Sequence, residues 1–238
     1  MKKISLLFPL LLCGLILFAQ EKIVYDPNAE IRNVPSFHAV EVSNGIELIL
    51  KQGNSEGVAV SASSTDIIRR MKTEVVNGKL KIYVETEGLH FWSGKKNMKA
   101  YVSFKNIDEL NANSGADAKT DGNINASDLK ISLSSGADFD GNVTASKLWI
   151  DQSSGSDMTI KGKVQNLEIT TSSGADFNGY DLVSETCKAD ASSGSDIEIT
   201  VNKELQAEAS SGGDINYKGS AVITNVSNSS GGKIKKQG

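Results

Sequence analysis

The chain has 238 residues, 39% of them hydrophobic and 23% charged, the composition of an ordinary globular protein with one elongated or one large compact domain. Its formal net charge of −4 makes it a poor partner for nucleic acid or anionic lipid. Aromatic residues are scarce, at 6%, and glycines number 22, a balance that suits short strands and tight corners better than packed helices.

Residues 1–20 stand apart. Lys2 and Lys3 precede an apolar run from Ile4 to Phe18, which reads as a secretory signal peptide. Pro9 and Gly14 interrupt the run, and it falls short of the roughly 20 apolar residues that span a bilayer. Leu10-Leu11-Leu12-Cys13-Gly14 loosely matches a lipobox, but the apolar run continues past Cys13. An exported chain is therefore expected, in the periplasm, at the outer membrane or outside the cell, with lipidation at Cys13 as the alternative and no transmembrane segment after cleavage. Removal of residues 1–20 leaves a net charge of −6 and one cysteine, Cys187, so no intrachain disulfide can form. Cys187 falls in a leucine-rich column of the repeat and reads as a small apolar filler.

Residues 21–36 are polar, hold Pro27 and Pro35 and read as a leader or arm. From Phe37 alternation sets in, with Val40, Val42, Ile46, Leu48, Leu50, Val58 and Val60 on the buried parity of half-buried strands. Asn44-Gly45 marks a turn or corner, Thr65–Lys72 a short helix, and Asn77-Gly78 a hairpin between two strands. Glu87–Lys99 reads as a loop carrying Leu89, His90, Phe91 and Trp92. Residues 37–104 are thus a less regular N-terminal β region, expected to cap the repeats C-terminal to it.

Residues 105–238 are a repeat. A corner of the type Ser-Gly-Ala/Ser-Asp recurs with its glycine at Gly115, Gly136, Gly155, Gly174, Gly194, Gly212 and Gly231, in steps of 21, 19, 19, 20, 18 and 19 residues. Its aspartates are Asp117, Asp138, Asp157, Asp176, Asp196 and Asp214, and the last copy has Lys233 there. Aligned on the glycine, the residue seven before is Leu129, Leu148, Leu167, Cys187, Leu205 or Thr224, and the residue three after is Ala118, Phe139, Met158, Phe177, Ile197, Ile215 or Ile234. Polar residues fill the positions between, as period-two burial requires. No single repeat can bury such a face, so successive coils must stack. The expected fold is all-β: a right-handed parallel β-helix of ~19-residue coils rising by about 4.8 Å each. No proline follows Pro35, as an uninterrupted ladder demands. At the corners, glycine supplies the backbone conformation, small residues keep the inside of the bend narrow, and outward Ser and Asp oxygens can accept from corner amides.

The repeated corners, the Ser43-Asn44-Gly45-Ile46 stretch and the Asn77-Gly78-Lys79-Leu80 turn together resemble the auto-transporter adhesin head GIN domain family of secreted Bacteroidetes proteins, over about residues 37–234. The resemblance implies a right-handed parallel β-helix, an envelope or surface location and an adhesin-like role. Only Lys235–Gly238 follow the last repeat, without a membrane barrel.

The aspartate column is expected to serve the turns. Charges 4.8 Å apart repel by only roughly 0.9 kcal/mol in water, and the Gly-Gly-x-Gly-x-Asp pattern of calcium-binding repeats is absent. No metal or cofactor is expected. A parallel β-helix can also carry a polysaccharide lyase or hydrolase, which is the alternative function. The sequence speaks against it: Arg32, Arg69 and Arg70 precede the repeats, both histidines lie outside them, and six near-equivalent aspartates lack the asymmetry of an acid–base pair. A non-catalytic binding module for a glycan or a surface protein is the principal expectation. Its candidate contact is Trp149, on the outward parity between Lys130 and Glu168, unless the N-terminal arm or a subunit contact covers it. Self-association, end to end or along a coil face, is expected because the last coil has no evident cover.

Overall fold

The computed structural model describes residues 26–85 and 96–238. The expected signal peptide with Cys13, the start of the arm, and Leu89, His90, Phe91 and Trp92 lie outside the described residues. The N-terminal elements are β1 (Glu30–Arg32), β2 (Ala39–Val42), β3 (Glu47–Gln52), β4 (Gly57–Ser61), α1 (Thr65–Arg70), β5 (Met71–Val76), β6 (Lys79–Val84) and β7 (Lys99–Phe104). The repeats supply β8 (Glu109–Ala112), β9 (Asp117–Leu133), β10 (Asp138–Gln152), β11 (Asp157–Thr171), β12 (Asp176–Ala191), β13 (Asp196–Ala209), β14 (Asp214–Lys218), β15 (Val222–Asn228) and β16 (Lys233–Lys236). One sixteen-stranded sheet joins both stretches.

From β8 onward every pairing is parallel, between one coil and the next. The architecture is a parallel β-solenoid of about seven turns of ~19 residues. From β9 to β13 each coil is one long strand that leaves the Ser-Gly corner, bends, and returns, and the next coil is divided into β14 and β15. Before β8 the pairing is mixed: β2–β6 and β3–β7 are parallel, whereas β1–β4, β4–β7 and β5–β6 are antiparallel. The short helix forms where expected, with Ser64 accepting from the Ile67 amide as N-cap and Ile67 and Ile68 turned into the core.

Two bends shape each coil, and they are built differently. At the Ser-Gly corner both residues have positive φ, as at Ser154 (58°) and Gly155 (64°), the paired left-handed conformation of primed turns. Each corner glycine donates its N–H to the serine carbonyl of the next corner: Gly115 to Ser135 (3.0 Å), Gly136 to Ser154 (3.1 Å), and so on to Gly212 and Ser230 (3.2 Å). The column begins earlier than the repeat, because Gly45 donates to the Ser114 carbonyl at 3.1 Å and Asn44 has a φ of 62°. Asn44-Gly45 is therefore the first member of the stack.

At the opposite bend two consecutive residues face outward, Ser146-Lys147 in β10 and Gln165-Asn166 in β11, so the buried parity shifts by one. Coil-length differences fall mainly on the segment that leads from the corner to this bend. The register slips between Asp140 and Asn142 against the longer coil of β9, and between Gly179 and Val183 where β12 passes to β13. One further slip alters a column read from the sequence. Seven before the last glycine stands Thr224, but a bulge seats Ile223 on Leu205, and the Thr224 hydroxyl turns outward to Glu204 (3.0 Å).

The interior is a continuous apolar stack. The residues three and five after each corner glycine share its volume: Phe139 with Gly141, Met158 with Ile160, Phe177 with Gly179, Ile197 with Ile199. A β-carbon on Gly179 would stand 2.4 Å from the Phe177 ring. Large and small residues are thereby matched within each coil.

Candidate functional site

The corner serines and aspartates form the most regular surface of the molecule. Asp117, Asp138, Asp157, Asp176, Asp196 and Asp214 pair directly with one another across adjacent coils. The inward residue before each is buried: Ala116, Ala137, Ser156, Ala175 and Ser195 are all inaccessible. Buried hydroxyls have partners, Ser195 donating to the Thr171 carbonyl at 3.0 Å and Ser156 to the Leu133 carbonyl at 3.4 Å. The corner amides are held mainly by backbone carbonyls, with Asp157 N–H on Ala137 O at 3.1 Å and Asp176 N–H on Ser156 O at 3.0 Å. Burial and the carboxylates of Asp117 and Asp157 push the Asp138 carboxyl above its ordinary range, and burial with Asp196 and Asp157 does the same to Asp176. Among the described residues no group of three or more His, Cys, Asp or Glu side chains has the arrangement of a metal site.

Trp149 lies on the flank of the coil that leads into the corner. It stands in a row between Lys130 on one side and Glu168 on the other, and is half-buried. A parallel outward row begins two residues earlier and contains Lys147, Asn166 and Thr186, with Thr186 donating to Asn166 at 2.9 Å. Beside them is a shallow hollow of about 500 Å³, which Trp149, Glu168, Lys188 and Gln206 border. Lys188 and Glu168 pair across it at 3.5 Å. An indole face, amides, a hydroxyl and one ion pair thus line a floor closed by Leu148, Leu167 and Cys187. Burial pushes the Cys187 thiol far above its usual range, so it is a core side chain and not a nucleophile.

A second hollow was not foreseen from the sequence. It runs along the opposite bend, about 710 Å³, over Ala145 and Val164 and between Ser146, Gln165 and Lys163. It is larger than the Trp149 hollow but has no aromatic face, and no shared residue type marks that bend from coil to coil. Of the two histidines, His38 is described. Its Nδ1 hydrogen-bonds the Asp108 carboxylate (3.0 Å), which raises its pKa above the ordinary value, and it packs over Gly78 where the N-terminal region joins the repeats.

Solved structures share this architecture. A "putative adhesin" from Bacteroides fragilis, 16% identical, superposes with a TM-score of 0.81 over 88% of this chain and 96% of its own. A "putative lipid binding protein" from Parabacteroides distasonis, 18% identical, gives 0.63 over 90% and 98%. A "putative adhesin" from Parabacteroides merdae, 14% identical, gives 0.61 over 88% and 95%. At such identities the likeness is one of fold. No curated protein is significantly similar to the chain in sequence. The sequence profile described as "Putative auto-transporter adhesin, head GIN domain" matches residues 36–221, the stretch that builds β2 to β14. The chain belongs to that family.

Proposed function

We propose that this chain is a non-catalytic binding module of the cell envelope, and that it holds a glycan against the flank carrying Trp149. The observation that carries the reading is the half-buried indole beside a shallow hollow lined by amide, hydroxyl and charged groups. An aromatic face stacks on the C–H face of a pyranose while neighbouring polar groups take its hydroxyls, the usual division of labour in such sites. The membership in a family described as adhesins supports a binding role, and the apolar start of the chain supports export. A glycan array with the exported chain tests the reading. A hit should weaken on Trp149→Ala by about 2 kcal/mol or more, roughly thirtyfold in Kd. Unchanged binding by that variant removes Trp149 from the site, and hydrolysed or eliminated product on a bound glycan replaces the module with an enzyme.

A further inference from the structure

The last coil departs from every coil before it. In β10 to β13 alternate side chains are buried, whereas all seven residues of β15 are exposed. Its apolar side chains are Val222, 67% exposed, Ile223, 42%, and Val226, 46%. Pairing seats Ile223 on Leu205 and Val226 on Ala207, both in buried columns. They face the core, and no described strand lies beyond them. β15 and β16 flank one corner, Ser230-Gly231, so the solenoid ends flush on both faces.

An uncovered edge of this kind is ordinarily blunted by lysine, proline or a covering segment. β16 has such protection in Lys233, Lys235 and Lys236, but β15 contains neither a charge nor a proline. The profile of the family ends at residue 221, one residue before it. The other end of the molecule is closed, with Ile67 and Ile68 of α1 turned into the core. It is also stepped, since three strands (β7, β4, β1) lie beyond β3 on one face and two (β6, β5) beyond β2 on the other.

We propose that β15 is the pairing edge of a homodimer, in which the β15 of a second copy adds antiparallel to it across a two-fold axis and the two open core ends meet. A second copy fits for three reasons. Seven uncharged residues pair with themselves without setting like charges opposite one another. A flush end meets another flush end, whereas a head-to-tail contact would meet the step. A two-fold contact closes on itself and leaves no further β15 edge exposed. This goes beyond the glycan reading and does not depend on it. A seven-residue strand is about 23 Å long and the facing sheet about 10 Å away. The contact is therefore on the order of a few hundred Å² per copy, less than the ~800 Å² of standard complexes. Dissociation in the micromolar range follows, weakened further by the β16 lysines that meet on the other face.

Light scattering of the exported chain from roughly 1 to 200 µM spans that range. The mass is expected to rise from one chain toward two and to stop there. Val226→Lys places a charge at the seam and is expected to hold the mass at one chain throughout; its unchanged melting temperature would show that the fold is intact. Single cysteines placed in turn across Ile223–Val226 keep the proposal open to refutation should that variant unfold. In an antiparallel two-fold pair the residue nearest the axis faces its own copy, so at least one of them should cross-link to a dimer under mild oxidation. A one-chain mass at the highest concentration overturns the proposal, as does a dimer that survives in folded Val226→Lys, growth beyond two chains, or a cysteine series without cross-links.

Discussion

The two bends of each coil are made of different materials and do different work. The Ser-Gly corner keeps one geometry eight times over, from Asn44-Gly45 to Ser230-Gly231, and the glycine amide of every corner but the last donates to the next corner. The opposite bend has no common residue, and changes in coil length are taken up away from the corner: on the segment leading to that bend at Asp140/Asn142, Thr159/Gly162 and Gly179/Val183, at the bend between Ser184 and Thr186, and between Leu205 and Gln206 near the end. A ladder of short hydrogen bonds fixes the register at one side, so insertions and deletions accumulate where no such ladder runs. In a solenoid, where each repeat contacts only its neighbours, one pinned edge is enough to keep every inward column aligned.

The largest effects should come from the interior that the pinned edge aligns. Phe177 is fully buried three residues after its corner glycine, and Phe177→Ala is expected to cost about 3–5 kcal/mol in chemical denaturation. Gly179→Ile alone should also destabilise, because its β-carbon enters the Phe177 ring and the Glu198 carbonyl approaches to 3.2 Å. Combined as Phe177→Ile with Gly179→Ile, the pair becomes the one already found at Ile197 and Ile199, and most of the loss should return. Additive losses in that double-mutant cycle would mean that the two columns are packed independently.

A change at the corner should cost less, and one at the opposite bend less again. Gly155 has a φ of 64°, and a β-carbon there would meet nothing within 4 Å. Gly155→Val therefore isolates the backbone term, about 1–2 kcal/mol for a branched residue held left-handed. Deleting Asp181, an exposed residue of the longer coil in β12, should change stability by within about 0.5 kcal/mol. Equal losses from the two changes, measured by urea unfolding, would abolish the distinction between the bends.

The difference between the bends also decides what could be read in advance. Corner spacing, inward parity, the short helix and the Asn77-Gly78 hairpin follow from local signals that recur or carry a specific backbone demand. The left-handed serines were not evident: Ser114 and its counterparts have φ of 47–58°, a conformation for which asparagine is the familiar non-glycine residue. Asn44 alone hinted that both positions of the corner share it. The hollow over Ala145 and Val164 was hidden for the opposite reason, since the bend that makes it has no recurring residue. Ile223 displaced Thr224 from the core column because one bulge near the end shifts the parity that every earlier coil obeys. Trp149 was placed outward by parity alone, and what borders it came from the neighbouring coils.

The smallest effect concerns the charges stacked along the pinned edge. Asp138 and Asp176 have carboxyls raised above their ordinary range by burial and by the aspartates in adjacent coils. A carboxyl whose folded pKa exceeds its unfolded value binds its proton more tightly in the folded state, so it favours folding at low pH. That contribution fades as pH rises from the unfolded value of about 4 through the raised folded one, and above it the column is a net repulsion. Asp138→Asn and Asp176→Asn together should therefore stabilise the chain slightly at pH 7, by a degree or two in Tm, and give no gain at pH 3. The Asp157 amide is held by the Ala137 carbonyl at 3.1 Å whichever side chain stands at 138, so the charge is what changes. If calcium were the reason for the column, the same pair of substitutions would instead lower Tm in its presence, and millimolar calcium would raise the Tm of the unsubstituted chain by several degrees.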